Sequence, residues 1–551
     1  MVRTLWALSR FRLASAAATS GGNAAVLDEG TARDSGLRQA ERARELLPLL
    51  GLSLFAIAIV KNGWLADDAF ASFRAAANLV SGHGLLSNPP ERVQAFTNPL
   101  WTLLFALGYW PTKNAYAVAI ALGLICSLAT AFMIAFSRRK GSPDQPEIEA
   151  LPRTLGVLAL CLSVAFVDFS TSGLENPLSH LLVVAIYVCA RVGRGTFVIA
   201  LLSALLAVNR LDHLLLVLPL LVARLIRAGR PQLRQELARM ALGFTPLALW
   251  LLFAVVYYGF PLPNTAYSKL NTTIGLVEFV SQGIWYLVET ATRDPLTLLV
   301  IVAGVFAPLV TRSYRLLPFA LGIALYIFYV IRVGGDFMQG RFLSTPFVLA
   351  TVLLFHDVVP ALPSRLDLAA GALVVLVPLA AQSSPLTEST APTCPIPDSG
   401  VADERACYRT HTGLVANVRA TKYKKHEYYE RGVGHKKKGA AVYAENVVGM
   451  ESFAAGPKVH LVDLFALTDP LLARIPFEPP DRSWRIGHFY RKLPDGYFDS
   501  VRTGKNRLKD PCLARYYEKL SRVTSGPIWS WARLKDIYWL NVRERTTAAC
   551  P

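Results

Sequence analysis

The sequence predicts an α-helical polytopic membrane protein of about 11 spans with a C-terminal extracytoplasmic α+β domain. Three observations predict it. Charged residues are 17% and hydrophobic residues 53% of the 551-residue chain, where a soluble chain carries about a quarter charged residues. The deficit is uneven: 46–381 alternates apolar runs with short polar loops, while 382–551 has the composition of a polar domain. Finally, basic residues fall in alternate loops, the pattern that sets membrane orientation.

Taken in order, 1–45 contains "MVRTLWALSRFRLASAAATSGG", whose apolar segment is broken by Arg10 and Arg12. It reads as a disordered cytosolic tail rather than a cleaved signal. Apolar spans follow at 46–62, 115–137, 152–169, 176–192, 196–208, 212–226, 239–258, 295–311, 315–331, 345–361 and 366–381. The run at 98–110 would cover about 20 Å of an about 30 Å hydrocarbon core, so it reads as re-entrant or interfacial. With Arg33, Arg38, Arg42 and Arg44 cytosolic, this count places "SRRKGSPDQPEIEALPRT", "RVGRG", "RAGRPQLRQELAR", "TRSYR" and "PSR" inside. The loops holding the acidic and polar motifs, and the domain 382–551, then share the outer side.

The formal charge is +18, and 382–551 holds 27 Lys+Arg against 18 Asp+Glu. Membrane lipid headgroups or lipid phosphates are the expected anionic partners; no nucleic-acid recognition motif accompanies the charge. Cys126, Cys161 and Cys189 lie in apolar runs and read as packing residues. Cys394, Cys407, Cys512 and Cys550 lie in the C-terminal domain, where local pairing gives Cys394–Cys407 and Cys512–Cys550 among three connectivities. His411, His426 and His435 lack metal-ligand spacing and read as surface residues.

The first outer loop, 63–98, carries the adjacent acids Asp67 and Asp68. "AFASFRAAANLVSG" predicts a short amphipathic helix stopped by Gly82 and Gly84, with both acids at its N-terminus. One acid suffices as a helix cap. Two adjacent like charges repel, which raises one pKa or calls for a shared cation or proton. Glu91, Arg92, Thr97 and Asn98 follow. The other outer loops add Glu175; Arg210 and Asp212; Asn264 and Lys269; Asp336 and Arg341. Together they offer carboxylates that take a proton and cations that hold a phosphate, the two requirements of a transferase whose leaving group is a lipid phosphate.

The block "DDAFASFRAAANLVSGHGLLSNPPERVQAFTNPLWTLL" resembles the first-loop signature of the mycobacterial-type terminal arabinofuranosyltransferases and their relatives. Six further blocks resemble the family in order: "TSGLENPL", "NRLDH", "YGFPLPNTAYSKL", "GGDFMQGRF", "VDLFALTDPLLARIP" and "RIGHFYRKLPDGYF". The chain departs from the family's pattern at "AFTNP", where a Gly-Tyr-Thr-Asn run is usual, and at Phe465-Ala466, where a Gly-containing turn is usual.

The resemblance implies a GT-C glycosyltransferase of the bacterial inner membrane with its site facing the periplasm. The donor would be a polyprenyl-phospho-arabinofuranose and the acceptor a cell-envelope glycan or glycoconjugate. Asp67 or Asp68 would be the general base, with Asp67 preferred because it lies nearer the span end. Arg341, Lys269, Arg210 and Arg92 would neutralise the departing lipid phosphate. Glu91, Thr97, Asn98, Glu175, Asp212, Asn264 and Asp336 would line the substrates. A divalent cation (Mg, Mn or Ca) at Asp336 and the second aspartate is a candidate cofactor. Asp469 and His488 read as a domain contact or acceptor contact, Asp469 also as a helix cap. Tyr428, Tyr429, Trp484, Tyr490 and Tyr497 are candidate acceptor surfaces, and Lys436 to Lys438 candidate headgroup contacts. The competing readings are transfer of another polyprenyl-phosphate sugar such as mannose, and a flippase; the latter predicts inverted repeats and midplane charges.

Overall fold

The computed structural model describes residues 46–137, 150–381, 384–385, 396–418, 421–446, 448–479, 484–544, 546–547 and 550. The tail 1–45 and Cys394 lie outside the described residues.

The chain is a helical membrane protein. Its apolar runs fold as helices, among them Ala115–Phe136, Asn176–Arg191, Thr196–Asn209, Pro295–Thr311 and Leu317–Arg332. Three of these carry proline in the first turn, where its missing N–H has no intrahelical partner to lose. Among the described residues, two helices are long and apolar enough to cross a membrane alone, Ala115–Phe136 and Arg341–Ala361. Two bent pairs bring the number to four: Leu211–Gly243 with Thr245–Tyr258, at 50°, and Leu276–Arg293 with Pro295–Thr311, at 115°. Helix length therefore does not reproduce the 11 crossings read from the apolar runs. The reason is that six of those runs fold as helices of 10–17 residues, shorter than the roughly 20 residues of a perpendicular crossing.

Two helices depart from the sequence reading. Leu211–Gly243 runs on through the basic loop "RAGRPQLRQELAR", with a kink at Gly229 (φ 63°). Leu276–Arg293 forms within the segment expected to be an outer loop. It stops at Asp294, whose carboxylate accepts the N–H of Thr297 (3.3 Å) and of Ala165 (2.9 Å) and so fixes the sharp bend. The ambiguous run at 98–110 is the 14-residue helix Pro99–Thr112.

Beyond residue 396 the described chain is helices around one parallel pair of strands, Ala441–Glu445 and Val459–Asp463, with the short helix Met450–Ala455 between them. Composition breaks at 382, but packing does not. Trp64, Phe70, Phe73 and Phe105 share one core with Phe337, Met450, Phe477 and Phe489, each fully buried aromatic adding about 1.5–3 kcal/mol. Bridges Met338 to Ala402 and Thr272 to Phe477 tie inter-helix loops to the C-terminal region. Arg74 does the same from the first loop. Its guanidinium donates to Ser87 O (2.6 Å), Asn88 Oδ1 (3.0 Å), Val459 O (2.8 Å) and Ser452 O. Cys512 and Cys550 form the expected disulfide across 38 residues. Cys407 is disulfide-bonded. Cys126, Cys161 and Cys189 are free thiols.

Candidate active site

The first-loop helix forms at Ala69–Val80 and ends before Gly82 and Gly84, both at positive φ. Asp68 is its N-cap residue, but the side chain makes no capping hydrogen bond. Asp68 is not spent on capping this helix. Asp67 instead accepts the N–H of Met450 (2.7 Å), so the first loop grips the start of the helix Met450–Ala455. A Cβ added at Gly449 would overlap the Asp67 carboxylate, which is why glycine stands there.

The two acids differ in exposure. Asp67 is 8% exposed, whereas the Asp68 side chain is 40% exposed. The Asp68 carboxylate is therefore the more accessible of the two. Its Oδ2 stands 3.9 Å from Arg341 Nη1, which is also 3.6 Å from Asp336 Oδ2. Arg341 Nη2 reaches Glu175 Oε1 at 3.3 Å, and Arg210 Nη1 meets the same oxygen at 2.6 Å. Asn98 donates to Glu175 Oε2 (2.8 Å), and Arg210 Nε pairs with Asp212 (2.9 Å). Four loops distant in sequence thus deliver one network centred on Glu175, whose side chain is 0% exposed. Burial raises its carboxyl pKa, but Arg341 and Arg210 outweigh this and hold it below the usual range.

Lys269, from the helix Asn264–Leu270, enters the same field, facing Asp336, Arg341 and Asp68. Burial pulls its pKa down. It forms no ion pair within 4 Å among the described residues, unlike Arg210 and Arg341. The centre therefore holds an open carboxylate beside one paired and one unengaged cation.

Two groups from the C-terminal region were not singled out from sequence. Glu404 starts the helix Glu404–Thr412. Burial raises its carboxyl to about 8, with Asp68, Asp67 and Asp336 adding and Arg485, 3.5 Å away, opposing. Tyr408, one turn on, lies in the field of Asp67 and Glu404. Both come from segments more than 300 positions from the first loop, and nothing in local spacing marks them.

Other expected site residues stand elsewhere. Arg92 donates to backbone oxygens of Tyr257 (3.2 Å), Val523 (3.4 Å) and Gly526, and so acts as a strut rather than a phosphate ligand. Glu91 faces Asp469 and Arg474. Asn264 accepts from Arg474 (2.6 Å) and donates to the carbonyls of Ala466 and Asp469. Asp469 caps the turn Leu472–Arg474 through Leu472 N–H (2.8 Å) and accepts from Tyr497, which is thereby buried rather than an acceptor surface. Ala466 adopts φ 61° at the turn where the resemblance expects glycine. Thr97 is exposed. His488 packs between Phe337 and Phe465.

His426 and His435 are buried, correcting the surface reading. His435 Nε2 lies 2.9 Å from Glu451 and 3.5 Å from Glu445. These three donors converge closely enough for a metal, but Arg431 already pairs with Glu451 at 2.7 Å. Asp68 and Asp336 gain no third such donor among the described residues, and Arg341 stands against both. The residues around Asp68 thus fit a divalent cation poorly.

Burial pushes the Asp67 carboxyl up to about 7; the Met450 N–H opposes, while Asp68 and Glu451 add. The folded protein holds this proton more tightly than the unfolded chain, whose carboxyl titrates near 3.8. The stability so gained is full below about pH 4 and is lost as pH rises through about 7. Asp67→Asn is neutral throughout and keeps an oxygen for Met450. Its melting temperature should fall less than the wild type's between pH 5 and about pH 8, measured in detergent; parallel slopes would contradict this.

Compared with known proteins, the chain is 31% identical to a terminal β-(1→2)-arabinofuranosyltransferase of Mycobacterium tuberculosis over 342 aligned residues, covering 54% of each protein. It is 28% identical over 341 residues to a protein of the same name from Corynebacterium glutamicum, covering 54% of this chain and 48% of that one. The chain spans about half the length of the curated relatives it matches. No family model and no solved structure matches it. The two similarities bear out the resemblance to the mycobacterial-type terminal arabinofuranosyltransferases.

Proposed function

We propose that this chain is a membrane glycosyltransferase of GT-C type that moves arabinofuranose from a polyprenyl-phosphate donor to a cell-envelope glycan or glycoconjugate. The site faces the periplasm, and the chain is embedded in the inner membrane. The observation that carries this reading is the accessible Asp68 carboxylate set beside Arg341 and in the field of Lys269.

In the proposed step, Asp68 takes the proton from an acceptor hydroxyl. The hydroxyl oxygen bonds to the anomeric carbon as the bond from that carbon to the phosphate oxygen breaks. The polyprenyl phosphate leaves with the electron pair, and Lys269 and Arg341 neutralise it. Arg210 and Glu175 hold Arg341 in place. Asp67 positions the loop against the helix Met450–Ala455. Glu404 and Tyr408 form the acceptor side, hydrogen-bonding sugar hydroxyls.

Lys269→Met should lower kcat/KM for the donor lipid roughly 10²-fold, with the acceptor KM unchanged and Lys269→Arg recovering part of the loss. Steady-state kinetics with each substrate varied separately checks this. An unaltered donor kcat/KM would remove Lys269 from the phosphate site.

A further inference from the structure

The helix Trp531–Tyr538, continued by the turn Trp539–Arg543, is built inside out. Its inward side carries Arg533, Asp536, Ile537 and Leu540, all buried. The polar members of that side are satisfied. Arg533 donates to Val523 O (2.8 Å), Val256 O (2.8 Å) and Tyr257 O (3.0 Å), and Asp536 pairs with Arg522. The outward side carries Trp531, Leu534, Tyr538 and Val542, spaced three or four residues apart and so on one stripe. Trp529 stands just before it. Trp529 is 81% and Trp531 85% exposed. Single exposed apolar side chains are ordinary on a water-facing surface, but a contiguous stripe marks a contact face.

Its position identifies the partner. Val256 and Tyr257, which receive Arg533, end the apolar helix Thr245–Tyr258, and Asn541 donates to the next carbonyl but one, Gly259 O (2.8 Å). That helix has its own outward Leu249 and Leu252. The aromatic stripe thus continues a lipid-facing helix just beyond the point where the chain leaves the apolar run. Lys535 and Arg543 are exposed beside it. Tryptophan and tyrosine, with apolar bodies and polar edges, concentrate at this depth of a bilayer, and neighbouring cations favour anionic headgroups.

We infer that the face formed by Trp529, Trp531, Leu534, Tyr538 and Val542 is a membrane-surface anchor that lies in the phospholipid headgroup region. It seats the C-terminal region on the bilayer beside the end of the helix Thr245–Tyr258. The inference is independent of the sugar-transfer reading.

The test uses the full chain in nanodiscs of phosphatidylcholine and phosphatidylglycerol, with phosphatidylcholine brominated either near the glycerol end or near the chain ends. Tryptophan emission of the wild type is compared with that of Trp529→Phe/Trp531→Phe, with iodide as the aqueous quencher. The variant is expected to lose emission that the shallowly brominated lipid quenches, while the iodide-quenched part stays the same. Loss of the iodide-quenched part, with lipid quenching unaltered, would overturn the inference and leave the face in water, open to a protein or glycan. Trp531→Cys carrying a nitroxide gives a second reading that needs no subtraction. Collision with oxygen should exceed collision with an aqueous nickel chelate; the reverse would overturn the anchor.

Discussion

Asp68→Asn should lower sugar transfer by about 10²- to 10⁴-fold, the range for loss of a positioned general base, while the protein stays folded. The expectation rests on how little Asp68 contributes to structure. Its side chain caps no helix, is 40% exposed, and has its nearest cationic neighbour 3.9 Å away. An isosteric amide fits the same space and still accepts hydrogen bonds, but it takes up no proton at working pH. Donor affinity should change little, because Lys269 and Arg341 keep their positions. Retention of more than about a tenth of the activity would move the base to Asp67, whose carboxyl is already tuned to about 7 by burial.

Glu175→Leu should have the largest effect on stability, about 3–5 kcal/mol, the loss seen when one partner of a buried charge pair is removed. Glu175 Oε1 receives both Arg210 (2.6 Å) and Arg341 (3.3 Å), and Oε2 receives Asn98 (2.8 Å). Leucine leaves two guanidiniums with less compensating charge and strands the Asn98 amide, which also accepts from Ser72 and Thr102. The first loop loses its tie to the helix that begins at Asn176. Chemical unfolding in detergent should show the destabilisation, and donor binding should weaken because Arg341 is no longer aimed. A melting curve within a degree or so of wild type would show that the network is not the scaffold of the site.

Part of this site was legible in the sequence because it depends on local chemistry. The helix after Asp68 follows from the spacing of Phe70, Phe73 and Ala77 and from its glycine stop. Arg210, Lys269, Asp336 and Arg341 are polar residues at the ends of apolar runs, so membrane topology alone groups them. What joins across the chain was not legible. Arg74 satisfies four acceptors, two of them beyond position 450, and reads locally as an ordinary helical arginine. Glu404 and Tyr408 are brought in by the pairing of 402 with 337–339, and no periodicity announces such a contact. His435 lies in a run of lysines that looks solvated, yet its ring is buried against Glu451. The helix Leu276–Arg293 escaped because its apolar stretches, such as Ile284 to Val288, are short and interrupted by polar residues. Crossing number is the remaining difference: hydropathy counts runs, whereas helix length decides which of them can span a bilayer upright.

The most direct test is transfer itself. Detergent-purified wild type and Asp68→Asn would be given polyprenyl-phosphate donors bearing labelled arabinofuranose or labelled mannose, with envelope oligosaccharides as acceptors, and the label followed into the glycan. The account predicts arabinose in the glycan with wild type and essentially none with the variant. Label from the mannose donor alone would contradict the sugar assignment, and a wild type inert with every lipid donor would contradict the transferase reading.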